Sequence, residues 1–210
     1  MRKSTECKKC RRTGVKLFLK GEKCDSQKCP MIKKPYAPGQ KPKRRKGHVS
    51  QYGKELTEKQ KLRYWYDLQE KQFVRYVKSV TNKQNQEESA GDRLLKKLEA
   101  RFDNVVYRSG IAQSRSQARQ MIVYGFFLIN DKPVDRPSRR IKIGDTIAVK
   151  STKKKSKIFE NFSEKMKNFS PPTWIALDKD KLSAKVTGEV IASEIAPPVE
   201  ISSVFEFYSR

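Results

Sequence analysis

The 210-residue sequence predicts an α+β protein in which helix dominates and a small, mainly antiparallel sheet is added. Three observations predict it. Apolar residues recur at helical spacing over residues 57–80, then 92–108, then 114–124. Short apolar runs at 126–129 and 146–149 are set apart by turn residues, as strands are. Four cysteines crowd into the first thirty residues as two short-spaced pairs. The chain accordingly divides into a cysteine-rich, basic arm (1–50), a helical domain (51–91), a compact helix-and-strand module (92–150) and a C-terminal helix with strands (151–210) that packs on what precedes it.

The arm comes first. Cys7 and Cys10 are separated by two residues, Cys24 and Cys29 by four. Such spacers let two thiolates of one pair reach one tetrahedral ion while the second pair closes the site. The expectation is a structural zinc knuckle on Cys7, Cys10, Cys24 and Cys29, with no open position for catalysis. Neighbouring lysines should favour the thiolates. The intervening segment 16–23 is expected to form a hairpin turning at Gly21. From residue 30 to 50, Pro35, Pro38, Gly39 and Pro42 forbid a long helix. Lys43, Arg44, Arg45 and Lys46 form a phosphate-neutralising run there.

In the helical domain Thr57 and Gln60 fit a capping box. Leu62, Trp65, Tyr66, Phe73, Tyr76, Val77 and Val80 form an inward stripe over one or two helices. Lys59, Arg63, Lys71 and Arg75 fall on the other faces as candidate nucleic-acid contacts.

The 92–150 module opens on Asp92 as a cap, with Leu94, Leu95, Leu98 and Phe102 inward and Gly110 as the stop. Ser114 caps a second helix ending at Gly125, with Ala118, Met121 and Ile122 inward. Arg115 and Arg119 stand four apart and so share a face, where two guanidiniums could grip successive phosphates. Residues 126–129 and 146–149 read as strands, with turns at Asn130-Asp131 and Gly144-Asp145. In the last segment, 158–169 reads as a short helix, and 185–192 and 201–208 as strands.

Charge decides the class of partner. Forty-eight Lys and Arg against 23 Asp and Glu give +25. From residue 160 onward six basic residues meet eight acidic ones, so the first 159 residues carry +27. A chain so charged calls for a polyanion, and nucleic acid fits best. The N-terminus has no apolar signal core and no run of about 18 apolar residues exists, so a membrane is not expected and a cytoplasmic protein is. An enzyme is not expected either. The chain has one histidine, His48, no paired nucleophile and base, and no phosphate-binding glycine loop.

The motifs converge on one resemblance. The cysteine layout, KPYAPGQ at 34–40, YGKEL at 52–56, RFDNVVYRSG at 101–110, SRSQARQ at 114–120 and FEFYS at 205–209 resemble the ribosomal small-subunit protein four family of bacterial or organellar type. The resemblance covers nearly the whole chain. It implies an alpha-L RNA-binding domain and a primary binder of small-subunit rRNA that nucleates folding of the 5′ domain. It also implies a place where mRNA enters the subunit, with ribosomal proteins three and five as neighbours, and translational autoregulation in some members. The expected RNA contacts are Lys43, Arg44, Arg45, Lys46, Tyr52, Lys59, Arg63, Lys71, Arg75, Arg108, Ser114, Arg115, Ser116, Arg119 and Gln120. Two departures stand out. Tyr124-Gly125-Phe126 replaces the His-Gly-His of many members, and Asn130-Asp131 replaces the more favourable Asn-Gly hairpin.

Overall fold

The computed structural model describes residues 5–39, 48–81, 88–159, 162, 166 and 169–209. They form two compact units, Met1–Gly91 with Ala196–Arg210, and Asp92–Ile195. The segment read as one C-terminal domain is thus shared between the two.

The first unit is helical. Three short helices, α1 (Glu6–Thr13), α2 (Glu22–Asp25) and α3 (Pro30–Lys33), carry the cysteines. Segment 16–23 is not a hairpin. Gly21, at φ 54°, instead precedes α2. Leu17 and Leu19 turn inward between α1 and α2, so a two-strand pairing gives way to burial of those two side chains. Helices α4 (Gln51–Trp65) and α5 (Glu70–Thr81) follow. The cap of α4 is Ser50, whose side chain accepts from Gly53 N–H. Thr57 lies inside the helix, where its hydroxyl donates to the Gly53 carbonyl at 2.7 Å. The chain breaks between α4 and α5 at Asp67, a non-glycine residue at φ 50°. Leu62, Phe73, Val77 and Val80 are the buried stripe; each fully buried aliphatic or aromatic side chain contributes about 1.5–3 kcal/mol.

Residues 201–209 complete this unit as a helix, not a strand (Ile201–Ser209). Val204 is fully buried, Phe207 meets Tyr52 with ring centroids 5.5 Å apart, and Tyr208 meets Phe73 at 6.2 Å. Positions 204, 207 and 208 share one helical face, and their packing overrides the strand propensity of a β-branched and aromatic run.

The second unit begins with α6 (Ala90–Glu99) and α7 (Phe102–Arg108), which part at Ala100-Arg101 instead of running on as one helix. Loop 137–141 holds that joint. Phe102 N–H donates to the Arg139 carbonyl, Asp103 N–H to that of Pro137 and Ile141 N–H to that of Ala100. Asp92 lies within the first turn of α6 and is not its cap. Gly110, at φ 76°, ends α7 as expected, and Ser114 caps α8 (Arg115–Val123) by accepting from Gln117 N–H.

The sheet is five-stranded and antiparallel throughout, β1 (Phe127–Ile129), β2 (Lys132–Pro133), β3 (Thr146–Val149), β4 (Ile175–Asp178) and β5 (Ser183–Val186), in the order β2-β1-β3-β5-β4. Pro133 lies on an edge strand, where its missing N–H breaks no ladder. The strand expected at 185–192 is shorter and earlier, and residues 192–195 form a helical turn, α10 (Ala192–Ile195), after α9 (Ser151–Lys154). The C-terminal helix is therefore α11. Phe102 of α7 meets Phe127 of β1 edge-on at 5.9 Å, joining helices to sheet. The helix expected at 158–169 lies largely outside the described residues; Lys157–Phe159 is a 3₁₀ turn, and Phe159, Phe162 and Met166 are buried.

Candidate nucleic-acid interface

The motifs at 101–110 and 114–120 fold into a charge network at the junction of α6, α7 and α8. Glu99 is fully buried. Its carboxylate accepts a two-bond fork from Arg108, both bonds 2.9 Å, and a further bond from the Asn104 amide. Asp103 accepts a second fork from Arg101, at 3.0 and 2.8 Å, and also receives Arg119 at 2.8 Å. Arg115 donates to the Asn104 side-chain oxygen at 2.7 Å, and its guanidinium lies 4.5 Å over the Tyr107 ring.

Four guanidiniums thus share two carboxylates, and the cluster keeps an excess of two positive charges. Desolvating such ions is costly, and only this degree of hydrogen bonding offsets it. Helix α8 is placed for the purpose. Its Ser114 cap and the inward Ala118, Met121 and Ile122 fix its rotation, which turns Arg115 and Arg119 toward α7.

The expected contact residues therefore divide. Arg115 is buried, and Ser114 is buried as the helix cap. The Arg108 and Arg119 side chains are 21% and 30% exposed, so each keeps an outward edge. Ser116 and Gln120 are exposed on the outer face of α8. In the first unit Lys71 and Arg75 are exposed one turn apart on α5, with Lys78 next along. Lys59 is buried, bonded to Glu70 at 2.7 Å and lying 4.5 Å over the Phe207 ring. Arg63 is largely covered beside Glu70. Tyr52 is half-exposed against Phe207. Lys43, Arg44, Arg45 and Lys46 lie outside the described residues.

Reasoning from sequence passed over one exposed basic stretch, Arg136, Arg139, Arg140 and Lys142, in the loop whose carbonyls hold the α6–α7 joint. The signal was the density of arginine around Pro137.

Cys7, Cys10, Cys24 and Cys29 line one small cavity with Leu19, Lys20 and Met31. Lys20 N–H donates to Cys24 Sγ at 3.3 Å. Burial pushes the Cys10 and Cys24 thiols up, partly offset by backbone N–H groups of Leu17 and Lys20 respectively; the nearby lysines do not set their acidity. A four-thiol donor set converging on one cavity suits zinc chemically, yet among the described residues no group of three or more His, Cys, Asp or Glu is set to hold a metal ion. Nor is any helix of the described residues long and apolar enough to cross a membrane.

A helical unit followed by α7 and α8 on a small antiparallel sheet defines an S4-domain protein. Residues 1–99 match the family model described as Ribosomal protein S4/S9 N-terminal domain, and residues 100–147 match the S4 domain. The chain is 41% identical over 204 residues to small ribosomal subunit protein uS4 of Acetivibrio thermocellus, covering 97% of this chain and 96% of that one. It is 41% identical over 204 residues to uS4A of Alkaliphilus metalliredigens and 43% identical over 206 residues to uS4 of Endomicrobium trichonymphae, with the same coverage. The chain belongs to the small ribosomal subunit protein uS4 family, whose members are structural proteins and not enzymes.

Proposed function

We propose that this chain is a primary binder of small-subunit rRNA that nucleates folding of the 5′ domain at a multi-helix junction. It works by neutralising phosphates and matching RNA shape, with little readout of base edges. The observation that carries this is where the positive charge is left exposed. Lys71, Arg75 and Lys78 line one face of α5, and Arg136, Arg139, Arg140 and Lys142 stand out from one loop. In this reading Arg115 acts from inside, holding α7 against α8, while Arg108, Ser116, Arg119 and Gln120 meet the RNA. Ribosomal proteins three and five and mRNA at the channel where it enters are the further partners, and binding to its own mRNA would allow autoregulation.

The test is binding of the full chain to naked 5′-domain rRNA across a salt series. Tight binding without other ribosomal proteins, with affinity falling steeply as salt rises, is the expected result. A requirement for prior binding by another protein would overturn the primary role.

Cys7, Cys10, Cys24 and Cys29 would hold one structural zinc, whose contribution is to close the N-terminal arm. Metal analysis of the purified chain should give one zinc per molecule. Metal-free protein with an unchanged melting temperature would remove the metal from the account.

A further inference from the structure

We propose that Tyr124 is a stacking platform for an unpaired nucleobase, with Lys150 and Lys153 taking the flanking phosphates. The inference rests on the RNA-binding reading and adds a specific subsite to it. Tyr124 directly follows α8 and is 63% exposed, the most exposed large apolar or aromatic side chain among the described residues. An aromatic ring left so far in water on a folded unit gains nothing from the core. Its ring meets no other ring among the described residues, and its 63% exposure leaves ring surface for a planar partner. It is also oriented, because Gln120 one turn earlier reaches its hydroxyl at 3.5 Å.

The surroundings select the partner. Lys150 Nζ lies 3.7 Å from where a Cβ on Gly125 would stand, so the ammonium sits beside the residue next to Tyr124. Lys150 N–H donates to the Phe126 carbonyl at 2.9 Å, which fastens the start of α9 beside the start of β1. Lys153 lies 5.2 Å over the Phe126 ring, with Lys154 following on α9. None of these three lysines is ion-paired among the described residues. An apolar protein patch would have to strip water from these cations and leave them unpaired, which is costly. A duplex would offer phosphates but no open base face. An unpaired nucleotide supplies both a π-face for the ring and phosphates on either side.

The experiment uses the full chain and a 5′-domain rRNA transcript, with filter binding at several salt concentrations. Tyr124→Ala should weaken binding roughly ten-fold with the salt slope unchanged, since a neutral side chain is removed. Tyr124→Phe, which keeps the ring, should stay within about two-fold. Lys150→Ala with Lys153→Ala should flatten the slope by about one to two units. Circular dichroism melts confirm that each variant is folded. Wild-type affinity in Tyr124→Ala overturns the platform while leaving rRNA binding intact; so does an equal loss in Tyr124→Phe. Failure of the wild-type chain to bind the transcript at all overturns the broader reading, and this one with it.

Discussion

The Tyr208 hydroxyl donates to Glu70 at 2.9 Å, although 138 residues separate the two in sequence. Lys59 reaches the same carboxylate oxygen at 2.7 Å, and Arg63 approaches the other oxygen at 3.4 Å. The C-terminal helix is thereby fastened polar group by polar group to the α4–α5 pair, beyond the apolar contact of Val204.

Replacing Tyr208 with Phe should lower the stability of the first unit by about 1 kcal/mol. A bond to a charged acceptor is worth more when buried, but the Glu70 side chain is 40% exposed and solvent weakens the pairing. Thermal melts of wild type and variant measure the difference.

Acidity should reveal the same pair. Burial raises the Glu70 carboxyl, but hydrogen bonds from Lys59 and Tyr208 and the Lys59 and Arg63 charges outweigh it, leaving it below its ordinary 4.5. A lowered carboxyl stabilises the fold above the unfolded value, and that contribution is lost as pH falls through the folded value. The stability gap between wild type and Glu70→Gln should therefore be full at pH 7 and close as pH drops below about 4.5. Tyr208 runs the other way. Burial and then Glu70 push its phenol up from 10.0, so above about pH 10 ionisation of the unfolded chain should erode stability.

Glu99→Gln should be among the most damaging substitutions in the second unit, costing about 3–5 kcal/mol. It leaves the Arg108 fork and the Asn104 amide facing a neutral group in a buried site. Arg115→Ala should also destabilise, by about 2 kcal/mol, through the lost Asn104 bond and Tyr107 stacking. Arg119→Ala, with its partly exposed head group, should act more on the salt slope of RNA binding than on the melt. Equal melting temperatures for wild type and Arg115→Ala would show that the buried cluster is not structural.

Gly110→Ala should cost more than the usual penalty of a left-handed alanine, upward of about 2 kcal/mol. Its φ is 76°, and an added Cβ would lie 2.5 Å from Met166 Cε and 2.6 Å from a Phe169 ring carbon. Those are side-chain ends, so partial relief is open to them, and the expected result is a folded variant with a lower melt.

The turn at Asn130-Asp131 invites the opposite change. Both residues have positive φ, 47° and 63°, as a type I′ turn requires. Asn130 is tied in, donating to Asp145 at 2.8 Å and accepting from Thr146 N–H at 2.9 Å. Asp131→Gly should stabilise by about 0.5 kcal/mol, whereas Asn130→Ala should cost about 1–2 kcal/mol.

These elements also show what a sequence can and cannot reveal. Helix α8 was legible because its signals are local, a Ser114 cap, an inward triplet and a stop at Gly125. The strands at 127–129 and 146–149 were legible for the same reason. Helix α11 was not, because residues 201–208 alternate apolar side chains and favour a strand intrinsically. Only Val204 under α4, with Tyr52 and Phe73 as ring partners, makes them helical. The site was half legible. Arginine spacing found Arg115 and Arg119, the resemblance added Arg108, and Arg101 was missed, while their direction depends on Glu99 and Asp103, up to sixteen residues away in sequence. Lys59 was misplaced on an outer face for a similar reason, since its partner Glu70 belongs to the next helix.

The helix that closes the first unit is made long after the two helices it covers. While the chain is synthesised, α4 and α5 emerge and must wait with Tyr52 and Phe73 short of one covering side until residues 201–209 arrive, more than a hundred residues later. At ordinary elongation rates that interval is on the order of 10 s. For that time the nascent chain presents a strongly basic surface beside an open apolar seam. Residues 201–209 thus set when the first unit can finish, since until they arrive Tyr52 and Phe73 lack their ring partners.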